Sequence, residues 1–442
     1  MEEVPKVGQK KPHVVFIPLP AQSHIKCMLK LARLLHHKGL LVTFINTQSN
    51  QKRLVTSGGT SWLDDAPGFQ FLTVPDGLAS TSDSIDEPLQ SMEQVARYLA
   101  DNFLDSFLDL VAGLNTPVTC IVSDGFMTFA KTRYAAEKLR VPIILHWTFA
   151  ACGFIGFYQA KVLMEKGVVP LKDESYLTNG YLDTFVDIPG MNGIRLRDLP
   201  EHILGVGPKA HALKFMLLLN QIREKESNNS NFSGYSLWKE EPECLQWLQS
   251  KEPNSVVYVN FGSLAVMSLQ DLVEFGWGLV NSNSYFLWII RDNLIDGKPA
   301  VLPPELEEVI KSKGFIATWC SQEEVLNHHS VGGFLTHGGW GSVIESLSAG
   351  VPMICCPFSG DQRTNCAQMC KEWEVGMEIG RNVKRDEVEK LVRELMDGVE
   401  GVKMRKKAIE WKKIADISTK PKGSSSIDIE ELVAEIRMIS RN

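Results

Sequence analysis

Two side chains a hundred residues apart have the types needed to take a proton from a hydroxyl group. His24 follows an apolar run at 13–20 and a short turn, at the start of a stretch with helical periodicity. An imidazole changes charge near neutral pH, and a helix N-terminus favours its neutral, proton-accepting form. Asp124 closes a second apolar run, 119–123. A carboxylate bonded to the other ring nitrogen would orient the imidazole and stabilise the imidazolium formed on proton transfer. Each residue also has an ordinary structural use, a packed or capping histidine and an N-capping aspartate.

A denser group of polar types occupies 319–362, WCSQEEVLNHHSVGGFLTHGGWGSVIESLSAGVPMICCPFSGDQ. An apolar run at 331–335 leads through Thr336-His337-Gly338-Gly339 into a helix expected over 341–349, with Gly350 and Pro352 as its stop signals. Unpaired N–H groups and the helix dipole make such an N-terminus suited to an anion, and His337, Gly341 and Ser342 stand there. Ser342 and Glu345 also fit a capping box, a purely structural use compatible with the first. With a flat ring at Trp319 and carboxylates at Glu345 and Asp361, the stretch offers what a nucleotide-linked sugar needs. Ser263, after the apolar run at 255–261, adds a hydroxyl for charge on a leaving diphosphate. Phe126, Met127, Trp147, Phe149, Phe154, Phe157 and Tyr158 are either an apolar acceptor pocket or core packing.

The elements that position these groups read as two α/β halves. Continuous apolar runs at 13–20, 41–46, 69–74, 119–123 and 142–147 alternate with helical stretches such as 24–38 and 89–114. A second series lies at 255–261, 285–291, 315–318, 332–335 and 352–355. Apolar strands alternating with helices indicate doubly wound parallel sheets, with ligands at the carboxyl ends of the strands. The expected division is 1–225 for an N-terminal acceptor-binding domain, 226–240 for a linker, and 241–442 for a C-terminal nucleotide-sugar domain. The last helix is a candidate to pack back on the first domain. With the halves facing each other, one cleft would collect His24, Asp124, Ser263 and the 319–362 groups.

Composition narrows the partners. A chain of 442 residues exceeds what one core serves, and 44% apolar residues provide ample core for two. A net charge of −7 argues against nucleic acid or an anionic membrane as principal partner. No apolar run is long enough to span a bilayer, and the polar N-terminus lacks a signal-peptide core, so a cytoplasmic location is expected. A monomer is the expected state, although nothing in the sequence discloses it. Nine irregularly spaced cysteines fit a reducing compartment. Cys320, His328, His329 and His337 match no zinc spacing, and no Asp-x-Asp occurs. Neither metal nor cofactor is expected. Neither first strand is followed by Gly-x-Gly-x-x-Gly, which disfavours a nicotinamide dehydrogenase.

The whole 319–362 stretch resembles the signature box of the plant UDP-glycosyltransferases that act on secondary metabolites, a family of the GT-B fold. The resemblance implies that Trp319 stacks on uracil beside Gln322, that Glu345 holds the ribose, and that His337 and Ser342 contact phosphates. Asp361 and Gln362 match the pair on the sugar hydroxyls, with a terminal glutamine usual for UDP-glucose. Cys320, Trp340 and Gly341 complete the donor set. PAQSH at 20–24 and SDG at 123–125 resemble the base and its orienting motif, which implies inverting displacement without a covalent intermediate. Gly338 replaces the usual cysteine, Gly341 an asparagine, His329 a proline and Ser23 a glycine, while Cys356 stands where tryptophan or arginine is frequent.

Passages outside the box, such as KKPHVVFIPLPAQSHIK and KEEPECLQWLQSKEPNSVVYVNFGS, resemble the steviol O-glucosyltransferase branch. A small hydrophobic acceptor of the terpenoid class, glucosylated at a hydroxyl or carboxyl oxygen, is the implied substrate. One departure is large. Between 198 and 243 the family carries a helix–strand–helix–strand segment, and this chain reads as shortened near 215–235, with one or two strands of the first domain gone. A shortened sheet would expose an edge and apolar helix faces. The alternative is therefore a catalytically impaired splice variant or degenerate copy with a binding-only role.

Overall fold

The computed structural model describes residues 11–58, 60, 66–75, 92–191, 193–200, 203–204, 236–295, 300–380 and 382–440. Positions 226–235 of the expected 226–240 linker, and the shortened segment at 215–235, lie outside them. The chain divides into two units. One comprises Met1–Thr148, Glu224–Trp238 and Ser418–Asn442, the other Phe149–Arg223 and Lys239–Ile417.

The first unit carries five parallel strands, β1 (His13–Ile17), β2 (Leu41–Thr47), β3 (Phe69–Val74), β4 (Cys120–Asp124) and β5 (Ile143–His146), in the order β3-β2-β1-β4-β5. β1 shows why it must be central. All five of its residues are buried, and its side chains alternate between two cores. Val14 and Phe16 pack with Ile25, Met28 and Leu29 of helix Gln22–His37. Val15 and Ile17 pack with Phe103 and Phe107 of helix Met92–Ala112. Helix Ser424–Ile439 belongs to this unit, burying Val433 and Ile436 in the same cluster as Phe16.

The second unit holds β6 (Val256–Asn260), β7 (Tyr285–Ile289), β8 (Gly314–Ala317), β9 (Val331–Thr336), β10 (Met353–Cys355) and β11 (Gly376–Glu378), all parallel, in the order β11-β10-β9-β6-β7-β8. β6 alternates in the same way: Val257 and Val259 face one core, Val256 and Tyr258 the other. Ten of the eleven strands coincide with the apolar runs read above. β11 escapes that reading because three residues with a mixed burial pattern leave no apolar run.

The expected boundary at 225 differs from the observed one. The stretch Phe149–Arg223 groups with the second unit. Thr364 Oγ1 donates to the Asp198 carbonyl at 2.8 Å, and Lys371 pairs with the Asp198 carboxylate at 2.6 Å. Sequence periodicity carries no trace of such long-range bonds, so a boundary read from it follows the polar stretch instead.

All nine cysteines are free thiols. Among the described residues no helix is long and apolar enough to cross a membrane.

Candidate functional site

The candidate residues form two groups, both at carboxyl ends of strands. In the first unit, Asp124 ends β4 with no exposed surface. Its Oδ1 accepts the Phe126 N–H at 2.9 Å, which is the capping role open to an aspartate there. Its Oδ2 lies 2.7 Å from His24 Nδ1, so the other oxygen holds the imidazole. His24 is the third residue of helix Gln22–His37, whose N-cap is Ala21, and its side chain keeps 17% exposure. It is neither a cap nor a sealed core residue.

Thr148, just beyond β5, places Oγ1 2.7 Å from the same Nδ1. Phe126 stands edge-on to the His24 ring at 5.8 Å and to Trp147 at 5.7 Å. A Cβ at Gly125 would fall 2.4 Å from the Trp147 ring, so glycine is what allows that indole to lie against the Asp124 turn. Met127 is 2% exposed and packs with Leu99 and Phe103, which assigns it to the core rather than to a pocket wall. His146, opposite Asp124 in the strand register, sets Nε2 3.4 Å from Cys27 Sγ. Burial holds its imidazole pKa below the ordinary range, against the opposing pull of Asp124.

In the second unit Gln322 is the hub. Its Nε2 donates to Glu345 Oε2 at 2.9 Å and to Ser342 Oγ at 3.1 Å. Its Oε1 accepts from Asn260 Nδ2 at 3.0 Å and from the Tyr258 hydroxyl at 3.3 Å. The capping box considered for Ser342 and Glu345 is therefore absent. Helix Trp340–Ala349 is capped at Gly339 without a side-chain bond, and both residues turn to Gln322 instead. Trp319 is partly buried against the cluster of Tyr258 and Phe334. Cys320 is 4% exposed with Sγ 3.3 Å from the Tyr258 oxygen, and the Trp340 ring packs 6.2 Å from Trp373. Both side chains pack with the core cluster of Tyr258 and Phe334.

His337 follows β9 and packs tightly on the turn after β6. Gly262 there has φ +73° and a Cβ on it would fall 2.5 Å from the ring, so both backbone and space require glycine. Burial, and secondarily Arg291, push the His337 imidazole down to about 4, so the ring is neutral. Its Nδ1 is buried without a hydrogen-bond partner. A polar ligand atom would satisfy this orphan. Ser263 lies in the same turn as Gly262. At Gly338, φ is +77° and a Cβ would meet Cys355 Sγ at 2.5 Å, whereas one at Gly341 meets nothing within 4 Å.

Asp361 stands at the N-cap position of helix Gln362–Ala367 but makes no side-chain cap bond. Its Oδ2 accepts from Asn365 Nδ2 at 2.9 Å, and that amide also donates to the Gly338 carbonyl at 3.0 Å. Gln362 Oε1 accepts the N–H groups of Phe358 and Ser359 at 2.8 and 2.9 Å, which fixes the side chain and aims its amide nitrogen elsewhere. A Cβ at Gly153 would lie 3.0 Å from Asp361 Cβ, so helix Ala151–Tyr158 approaches this carboxylate closely. Phe154 and Phe157 of that helix pack on Phe149 at 6.3 and 5.5 Å. The expected acceptor set is thus split, with Phe126, Met127 and Trp147 in the first unit and Phe154 and Phe157 in the second.

Thr148 and Asn260 escape the sequence reading. A threonine after a strand has no distinguishing neighbour pattern. Asn260 did carry a signal, a polar side chain two residues beyond Tyr258 on the same face of a buried strand.

Comparison with known proteins bears on the family and the fold. Residues 237–409 match the family described as UDP-glucoronosyl and UDP-glucosyl transferase. UDP-glycosyltransferase 85C1 of Stevia rebaudiana is 62% identical over 486 aligned positions that cover 100% of both chains. The 7-deoxyloganetin glucosyltransferase of Catharanthus roseus is 46% identical, with 97% of each chain covered. Among solved structures, a UDP-glucose: anthocyanidin 3-O-glucosyltransferase in complex with UDP superposes with TM-score 0.74 at 26% identity, covering 97% of this chain and 99% of the other. Os79 from O. sativa in complex with UDP gives TM-score 0.77 at 23% identity, covering 96% and 100%, a likeness of fold. The alignment of 486 positions against 442 residues leaves about 44 positions (486 − 442) opposite gaps in this chain. With two parallel α/β sheets, a His–Asp pair at one and an interlocked signature box at the other, the chain belongs to the UDP-glycosyltransferase family.

Proposed function

We propose that the chain transfers glucose from UDP-glucose to a hydroxyl or carboxyl oxygen of a small hydrophobic metabolite, with a terpenoid as acceptor. The observation that carries the reading is the 2.7 Å bond from His24 Nδ1 to a fully buried Asp124. A carboxylate at that nitrogen keeps the hydrogen there and leaves the lone pair on Nε2. His24 Nε2 then takes the acceptor proton as the acceptor oxygen attacks the anomeric carbon. The bond from that carbon to the diphosphate breaks on the opposite face, and UDP leaves with inversion. Trp319 stacks on uracil, Glu345 binds the ribose, and Ser263, Ser342 and backbone N–H groups receive the diphosphate charge. Asp361 and Gln362 hold the sugar. Phe126, Trp147, Phe154 and Phe157 contact the acceptor. The scheme uses no metal or cofactor, and we place it in the cytoplasm, acting as a monomer.

The terpenoid acceptor draws support from the Stevia and Catharanthus relatives, one of which is named for 7-deoxyloganetin. Purified chain incubated with UDP-glucose and a panel of diterpenoid, iridoid and phenolic alcohols is the test. A glucoside of a terpenoid alcohol with inverted anomeric configuration is the expected product. Transfer confined to phenolics would remove the terpenoid assignment. The second reading, an impaired copy that binds UDP-sugar without turnover, is favoured by the 44 gapped positions and would show as UDP binding with no glucoside formed.

Gly341 offers a gain-of-function test. The position lies in the first turn of helix Trp340–Ala349, where an added side chain meets open space. Gly341→Asn should stabilise the helix by a few tenths of a kcal/mol. It should also tighten UDP binding by about tenfold through one charge-assisted hydrogen bond, measured by titration calorimetry.

A further inference from the structure

The backbone N–H of Gly262 can only donate, and its acceptor is Asn260 Oδ1 at 2.9 Å. That single bond settles which way the Asn260 amide faces. Its nitrogen is turned to the other side, where Nδ2 lies 2.8 Å from the Tyr258 oxygen and 3.0 Å from Gln322 Oε1. Both amide hydrogens are used on these two oxygens, and the side chain is buried. Gln322 is settled in its turn. With its oxygen held by Asn260, its nitrogen faces Ser342 Oγ at 3.1 Å and Glu345 Oε2 at 2.9 Å. The Tyr258 hydroxyl is a weaker second donor to Gln322, because its one hydrogen is shared between Oε1 and Cys320 Sγ, each at 3.3 Å. The direction of each bond from the Gly262 turn to Glu345 thus follows from one backbone group.

We propose that Asn260 is a positioning residue for the nucleotide site, setting the polarity of the Gln322 amide so that a donor rather than an acceptor faces the carboxylate assigned to the ribose. A turned amide would set its oxygen against Glu345 Oε2, and two buried oxygens with no hydrogen between them repel. Glu345 would then leave the place it holds for a ribose hydroxyl. Asn260 acts through Gln322, and the inference rests on the reading of 319–362 as the UDP-sugar site.

Asn260→Asp tests this by keeping the volume and reversing the polarity. One carboxylate oxygen takes the Gly262 N–H, the other faces Gln322 Oε1, and the glutamine amide turns over. UDP affinity in calorimetric titration should fall at least about tenfold, and donor KM should rise as much with kcat within about twofold. Asn260→Leu imposes no polarity and leaves the Tyr258 hydroxyl on Oε1, so its loss should stay within about twofold, as should that of Tyr258→Phe. The two together leave Oε1 without a donor and should lose about tenfold, more than the product of the singles. A Gln322→Leu background separates polarity from charge, since leucine has no polarity to set. There Asn260→Asp should cost less than about twofold. A tenfold loss surviving in that background overturns the proposal, because the carboxylate would then act on UDP by its charge. So does an unchanged UDP affinity in Asn260→Asp, or an Asn260→Leu variant that binds as weakly. Should Asn260→Asp fail to fold, the Asn260→Leu and Tyr258→Phe pair decides, and a combined loss no larger than the product overturns the proposal. An unaltered chain that binds no UDP is a different result: it removes the site reading itself, and this inference falls with it.

Discussion

His24→Ala should lose transferase activity by at least about a thousandfold while its affinity for UDP stays within about twofold. The reason is the separation of tasks between the two sheets. The imidazole sits on helix Gln22–His37 of the first unit and is bonded to Asp124 and Thr148. The groups assigned to the nucleotide, Trp319, Ser342, Glu345 and their hub Gln322, lie in the second unit, where Gln322 bonds Ser342 and Glu345. Truncating the ring removes the proton acceptor and touches none of these. Steady-state turnover with UDP-glucose, paired with calorimetric titration of UDP, checks both halves. Retained turnover would remove His24 from the chemistry altogether.

Asp124→Asn should be nearly as damaging, by about a thousandfold or more in kcat, although it changes one atom and preserves volume. The orientation of the new amide is dictated by its surroundings. The Phe126 N–H needs an acceptor at the position of Oδ1, so the amide oxygen must stay there. The amide NH2 is then turned towards His24 Nδ1, where the carboxylate oxygen stood. A donor facing Nδ1 forces the lone pair to that nitrogen and the hydrogen to Nε2, and the ring can no longer accept a proton from the acceptor. Asp124→Ala, which imposes no tautomer, should retain more activity than the asparagine variant. The comparison of the two rates is the measurement, and an asparagine variant faster than the alanine variant would contradict the tautomer argument.

Most of the scaffold was legible because parallel strands buried on both faces must be apolar throughout, and ten runs of that kind stand out between helical stretches. The signature box was legible for a different reason, since its turn, helix start and carboxylates are contiguous in sequence. What escaped depends on contacts between distant segments. Thr148 becomes meaningful only when the strand register sets the end of β5 beside the end of β4. The bonds from Thr364 and Lys371 to Asp198 place the stretch Phe149–Arg223 with the second unit, across more than 150 positions of chain. The fate of Met127 was open for the same reason. An apolar residue next to Asp124 can line a cavity or fill a core, and only packing against Leu99 and Phe103 decides for the core.

The Gln322 junction has a consequence for nucleotide choice. Sites that reject a ligand lacking one hydroxyl do so because a buried carboxylate is stranded when the hydroxyl is missing. Here Glu345 already has an amide partner at 2.9 Å before any nucleotide arrives. A 2′-deoxyuridine diphosphate would leave that carboxylate bonded rather than bare. Discrimination against the deoxy form should therefore stay near tenfold in competition binding rather than reach the thousands.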